Sequence, residues 1–233
     1  MLSADAVRAS SDWEGWADFR RPVIVKPNFE GSSKGIGDDC VACDPASLRV
    51  IVQKALERFP SGVLIEELIT GIDLTVPVVE AVGAPDRGGV LSPASYSVHP
   101  SARSRYNLYD YRLKNLQPDL VGVCCPAEIS AALKAELQRD TLTAIRALGV
   151  RDLGRADFRL SEDGSLYFLE MNALPSLESC SSIFEATALE GLSYAQTLAH
   201  IVEHAAARAR RFPAGTPEKQ ASRWQGTHGR AIR

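Results

Sequence analysis

No apolar run in the sequence is long enough to span a bilayer, so no segment reads as a membrane helix. A dominant charge is also missing. The 26 basic side chains face 29 acidic ones, for a net charge of −3 at neutral pH. That balance gives no sign of a nucleic-acid or membrane partner. The first residues, Met-Leu-Ser-Ala-Asp-Ala, lack a basic region followed by an apolar one and do not read as a signal peptide. Cysteine is sparse, with thiols at Cys40, Cys43, Cys124, Cys125 and Cys180. Cys40 and Cys43 have a Cys-x-x-Cys spacing that can serve zinc or redox chemistry, but no second pair with metal spacing follows. Free thiols in a reducing, cytoplasmic compartment are the expectation. What remains is ordinary for a globular chain: 45% hydrophobic and 24% charged residues. A length of 233 residues allows one large domain or two small ones with a real core. There is no internal repeat.

Residues 1–21 carry Trp13, Trp16 and Phe19 at near-helical spacing and read as a lead-in segment. Pro22 to Pro27 reads as a strand stopped by proline, and Asn28 to Gly37 as a Gly/Ser-rich loop. Asp44 to Phe59 reads as a helix. Asp44 is its N-cap, Pro45 takes the first helical position, and Leu48, Ile51, Val52, Ala55 and Leu56 form its stripe. Val63 to Ile69 and Leu74 to Ala81 read as strands around a Thr70-Gly71 turn. Residues 93–119 are irregular and rich in Tyr, Arg and Asn; loops of that length are often functional. Pro126 to Leu148 reads as an amphipathic helix ended by Gly149. A last long helix is expected within Ala186 to Ala207, and 211–233 reads as a disordered tail.

Three constellations carry chemistry. In 155–172, two strand signals flank a Glu-Asp-Gly turn. Residues two apart on a strand share a face, so Glu170 and Asn172 aim together. A hairpin brings Asp157 and Arg155 to the same side. Oxygen-only ligands suit a hard cation such as Mg²⁺, and an arginine beside it suits a transferring phosphoryl group. Solvated strand-end carboxylates are the plain alternative. In the second, Lys26 leaves a strand and enters Pro-Asn-Phe-Glu-Gly-Ser-Ser-Lys-Gly. Backbone N–H groups of such a loop approach phosphate oxygens closely, while the lysine supplies charge. A flexible hairpin tip is the alternative. The third is Val63 to Asp73, where Glu66 and Glu67 interrupt an apolar strand. Such a strand can bind adenine by its edge, and a following carboxylate can hold ribose; a solvated edge strand is the alternative.

In this order the motifs resemble the ATP-grasp superfamily and, within it, the D-alanine–D-alanine ligase family, from about Pro22 to Ala207. The resemblance rests on Lys-Pro-x-x-Glu-Gly-Ser-Ser-x-Gly-Ile, Val-Leu-Ile-Glu-Glu, Tyr109-Asp110-Tyr111-x-x-Lys114, Gly154-Arg155-Ala156-Asp157 and Leu169-Glu170-Met171-Asn172-Ala173-Leu174-Pro175. It implies an α+β, ATP-grasp fold with ATP between two α+β subdomains, a partial small one over 22–69 and a C-terminal one over 70–210. It also implies an ATP-dependent carboxylate–amine ligase working through an acyl phosphate. The cofactors implied are ATP and two Mg²⁺ ions, with Mn²⁺ as a substitute. By match, Lys26 contacts the phosphates, and Ser32 and Ser33 lie on the loop over them. Glu66 faces the adenine amino group, Glu67, Leu68 and Ile69 line the hinge, and Asp73 takes the ribose. Lys114 approaches the phosphates, and Arg155 stabilises the acyl phosphate and the tetrahedral intermediate. Asp157, Glu170 and Asn172 hold the metal ions, with Glu170 bridging.

The chain departs from the family pattern in places. Asp73 stands where a glutamate is usual. Asn115 replaces a tyrosine that shapes the substrate site. Ser176 replaces a glycine whose backbone serves the oxyanion site, and it retains that N–H. Ser181 matches a serine that binds the acceptor carboxylate, and Ser182 follows it in a divergent segment. These departures widen the expected substrates to amino acids or small peptides other than D-alanine. Only 25 residues precede Lys26, which leaves no room for the family's N-terminal domain. A fragment or mis-started reading frame is the expectation, with a partner chain that supplies the missing part as the alternative and a homodimer left open. The alternatives in function are an ATP-grasp ligase of other substrate specificity and a truncated, non-catalytic nucleotide-binding remnant.

Overall fold

The computed structural model describes residues 22–211. The expected lead-in at 1–21 and nearly all of the expected tail lie outside the described residues. Arg211, assigned to the tail from sequence, is instead the last residue of a helix.

Among the described residues, eight strands form two antiparallel sheets. The smaller sheet has the order β2-β1-β3, built from β1 (Val23–Pro27), β2 (Val41–Ala42) and β3 (Val63–Glu67). Helix α1 (Pro45–Arg58) covers one face. It starts where the sequence places it: Asp44 accepts from Ser47 N at 2.9 Å, and Pro45 needs no N–H partner. Its stripe of Leu48, Val52 and Leu56 is buried against Val23, Val25 and Val63. Each such side chain contributes about 1.5–3 kcal/mol of burial. Alternation sends Ile24, Lys26 and Glu66 to the other face.

The larger sheet has the order β6-β5-β4-β7-β8. Its strands are β4 (Gly71–Val79), β5 (Ala94–Val98), β6 (Val121–Cys124), β7 (Leu153–Ser161) and β8 (Leu166–Asn172). Its core joins Leu74, Val76, Val78, Ala156 and Phe158 to helix α3 (Ala131–Leu148) through Leu137 and Ile145. Strand β4 begins earlier than the sequence suggests, so Asp73 lies inside a strand rather than after a turn. The segment read as irregular holds β5 and a short helix α2 (Tyr111–Asn115). Helix α3 starts five residues later than read, at Ala131, because Ser130 Oγ caps Leu133 N at 3.2 Å. The last helical region is two helices, α4 (Ser182–Leu189) and α5 (Tyr194–Arg211), broken at Gly191, whose φ is 80°.

The long loop packs on the small sheet: Ile24 and Val41 of that sheet, Leu68 of the connection and Leu108 of the loop form one buried cluster.

Candidate active site

Strands β7 and β8 pair as the sequence implies. Arg155 lies opposite Asn172 and Asp157 opposite Glu170. A register shift follows immediately, so that Phe158 pairs with Phe168. Leu169 is the extra residue of this β-bulge. The bulge reverses the alternation between Phe168 and Glu170. Phe168 turns to the Phe158 ring, at 5.5 Å between centroids, while Glu170 stays beside Asp157.

The arginine and the aspartate are tightly paired. Arg155 Nε donates to Asp157 Oδ1 and Nη2 to Oδ2, each at 2.6 Å. Thr75 Oγ1 donates to Asp157 Oδ1 at 2.8 Å. Burial pulls the Arg155 guanidinium down, but the Asp157 hydrogen bonds and charge outweigh it, leaving a more persistent cation. Asn172 Oδ1 accepts from Leu174 N at 3.1 Å, which fixes the amide oxygen at the start of the following loop. The donor set of Asp157, Glu170 and Asn172 is all oxygen, on one sheet face, with nitrogen and sulfur absent. That chemistry fits a hard divalent cation.

Across the cleft, Lys26 Nζ pairs with Glu66 Oε2 at 2.5 Å. Ser32 and Ser33 are consecutive left-handed residues, with φ of 55° and 57°. Non-glycine residues rarely hold that conformation, and the surroundings must maintain it. The surroundings are the long loop: Ser33 Oγ donates to Tyr109 O at 3.0 Å, and Asn115 Nδ2 reaches Ser32 O at 3.4 Å. From that loop, Lys114 sits 6.0 Å from the Tyr109 ring, and Tyr109 stacks on Tyr96 at 4.8 Å. Burial, and then the Arg155 charge, lower the Lys114 ammonium pKa. Burial and the neighbouring Tyr96 push the Tyr109 phenol up to about 12.

Asp73, Tyr96, Asn107, Leu108 and Tyr109 line a cleft of about 440 Å³. Asp73 is paired with Arg159 at 2.7 Å. Burial raises the Asp73 carboxyl pKa and Arg159 pulls it back in part. Ser176 is exposed, with its Oγ accepting from Glu178 N at 3.2 Å. Ser181 caps α4 without a side-chain hydrogen bond, and the hydroxyls of Ser181 and Ser182 are buried without a partner of regular geometry. The Tyr96 phenol is close enough to Ser182 to feel its hydroxyl.

The structure thus gathers Arg155, Asp157, Glu170 and Asn172 on one strand pair, and Lys26 with Glu66 on another. Lys114 stands beside Arg155 and the carboxylates. Arg159, Tyr96 and Thr75 join these groups without a sequence signal of their own. Among the described residues, one other group of metal-type donors converges: Glu80, Asp152 and His204. Arg208 donates to both Asp152 oxygens there, so the group is an ion network holding α5 to the sheet.

Known proteins resemble this chain in sequence and fold. The family model described as D-ala D-ala ligase C-terminus matches residues 5–203. The chain belongs to this family. The D-alanine–D-alanine ligase of Marinomonas sp. is 35% identical over 184 residues, which are 79% of this chain and 53% of that protein. The crystal structure of D-alanine–D-alanine ligase from Bacillus anthracis superposes with a TM-score of 0.67 at 21% identity, covering 88% of this chain and 60% of that one. The same enzyme complexed with ATP gives 0.64. VanG D-Ala:D-Ser ligase from Enterococcus faecalis gives 0.64 at 25% identity, covering 82% of this chain and 51% of that one. The fold is α+β and of the ATP-grasp type. The chain spans about half the length of the curated relatives it matches. No helix of the described residues is long and apolar enough to cross a membrane.

Proposed function

We propose that the chain forms the nucleotide and metal end of an ATP-dependent carboxylate–amine ligase. The register that sets Asp157 opposite Glu170 and Arg155 opposite Asn172 carries this reading. The family membership and the ATP complex of the B. anthracis enzyme support it.

In this reading ATP lies between the two sheets. Glu67, Leu68 and Ile69 line the adenine, and Glu66 accepts from its amino group. Lys26, paired with Glu66 at 2.5 Å, parts from it to meet phosphate oxygens. The amides of the left-handed Ser32–Ser33 turn lie over the same phosphates, with Lys114 approaching from the loop. Asp73 holds the ribose. Asp157, Glu170 and Asn172 would hold Mg²⁺, or Mn²⁺ in its place, with Glu170 bridging two ions. The bound metal supplies charge neutralisation between the phosphoryl group and its leaving oxygen.

The chemistry then balances simply. A substrate carboxylate oxygen attacks the γ-phosphorus, the bond to the bridging oxygen breaks, and ADP leaves. An amine attacks the acyl phosphate carbon, the carbon–oxygen bond breaks, and phosphate leaves with the amine proton passed to solvent. Arg155 spans the acyl phosphate and the tetrahedral oxyanion, and the Ser176 backbone N–H adds a donor there. Ser181 and Ser182 orient the acceptor. The substrates are amino acids or small peptides in a cytoplasmic setting, consistent with five free thiols.

One observation favours a substrate other than D-alanine. Asn115 spends its amide on Ser32 O and Tyr111 O, at 3.4 and 3.0 Å. It ties loop to loop where a substrate-shaping side chain is usual in the family. Hydroxylamine trapping with a panel of amino acids tests the whole reading. At least one carboxylate is expected to give a hydroxamate with ADP release, and Glu170→Ala is expected to abolish it. Hydroxamate formation surviving in that variant would sink the metal assignment.

A further inference from the structure

Arg159 lies on β7 four residues beyond Arg155 and is only 5% exposed. Its guanidinium gathers two segments distant from it in sequence, 69–73 and 106–107. Nε donates to Ile69 O at 2.7 Å, at the end of the hinge. Nη1 donates to Asp73 Oδ1 at 2.7 Å and reaches Asn107 O at 3.4 Å. Nη2 donates to Tyr106 O at 3.2 Å and reaches Asn107 O at 3.4 Å. Asn107 is itself left-handed, with a φ of 49°, a conformation its neighbours must hold. A buried guanidinium is costly unless its donors are used, and here the three nitrogens are all engaged. The pair with Asp73 takes Oδ1 and leaves Oδ2. Asp73 lines the cleft, and Oδ2 is the oxygen that the buried Arg159 does not take.

We propose that Arg159 is a positioning residue for the ribose of the bound nucleotide: it pins Asp73 by one oxygen, aims the other at the ribose hydroxyls, and fastens the 106–107 loop beside them. This rests on the nucleotide reading given above. Lysine cannot replace it, because a point charge lacks the fork that spans four acceptors.

Calorimetric titration of the full chain with Mg·ATP and with Mg·2′-deoxyATP reads the role. The unsubstituted chain is expected to prefer ATP by about tenfold, the worth of one charge-assisted hydrogen bond. Arg159→Met is expected to bring that preference towards parity, and Arg159→Lys to restore only part of it. Asp73→Asn serves as a second variant if Arg159→Met fails to fold. It is expected to lose the preference while still binding both nucleotides. A folded Arg159→Met, or a folded Asp73→Asn, that keeps the full preference overturns the proposal. So does an unsubstituted chain that binds both nucleotides equally. A chain that binds no Mg·ATP fails differently, by overturning the nucleotide reading itself.

Discussion

Gly71 shows how one residue can fix the geometry of the site. A Cβ there would lie 1.9 Å from Leu160 O, and the φ of 150° disfavours any side chain. Only glycine lets β4 close on β7 just before Asp73. Gly71→Ala is expected to destabilise the fold by about 2–4 kcal/mol in urea titration, from overpacking plus backbone strain. Lys26 and Glu66 form the other residue-scale control. Their pair is partly exposed, so it is worth little to stability. Lys26→Met is therefore expected to leave the urea midpoint nearly unchanged. It should weaken Mg·ATP binding about tenfold through the lost charge-assisted contact. Unchanged affinity by titration would take Lys26 off the phosphates. At this scale the sequence marks the groups proposed to meet a ligand but not those that support them. Arg159 binds mostly to main-chain carbonyls, which any residue supplies, so nothing in the order of residues marks it.

At the scale of elements, what is local in cause is legible. Helix α1 starts at Pro45 because Asp44 and Ser47 cap each other within four residues. Asp44→Ala is expected to cost about 1 kcal/mol by thermal or urea melting, without altering nucleotide binding. The β7–β8 hairpin is legible for the same reason, since its turn and both its strands are contiguous. The bulge at Leu169 is not. Strict alternation would put Phe168 and Glu170 on one face, and only the pairing with Phe158 and Asp157 shows that they part. Strand β5 is hidden because its burial depends on β4 and β6, whose paired residues lie 19 to 29 positions away, as between Thr75 and Ala94 and between Ser95 and Cys124. Its Ala-Ser-Tyr-Ser-Val run does alternate apolar and polar residues, but over five residues only and with a single β-branched side chain, a short signal inside an otherwise irregular stretch. The start of α3 is hidden in the sequence because Pro126, Ile129 and Leu133 continue the apolar period, while Ser130 sets the cap.

At the scale of the whole molecule, long-range contacts decide how well the elements hold together. Arg208, with His204, fastens α5 to the sheet through Asp152. The Arg208 hydrogen bond holds the Asp152 carboxyl below the usual carboxylate range, against a smaller opposing effect of burial. A carboxyl depressed on folding stabilises above its ordinary pKa of about 4, and that contribution fades as pH falls through the lower folded value. Asp152→Asn is thus expected to lower the neutral-pH melting temperature by about 2–4 °C, the modest worth of one solvent-screened pair in a chain of this size. The gap should narrow as pH falls below about 4. A gap that widens in acid would contradict the network. The central claim is that the hairpin bearing Asp157, Glu170 and Asn172 is the metal end of an ATP site. Electron paramagnetic resonance of Mn²⁺, titrated with a non-hydrolysable ATP analogue present, tests it without depending on turnover. The full chain is expected to bind Mn²⁺ with the analogue, and Glu170→Ala to bind it at least about tenfold more weakly. Equal Mn²⁺ binding by the two proteins would contradict the account.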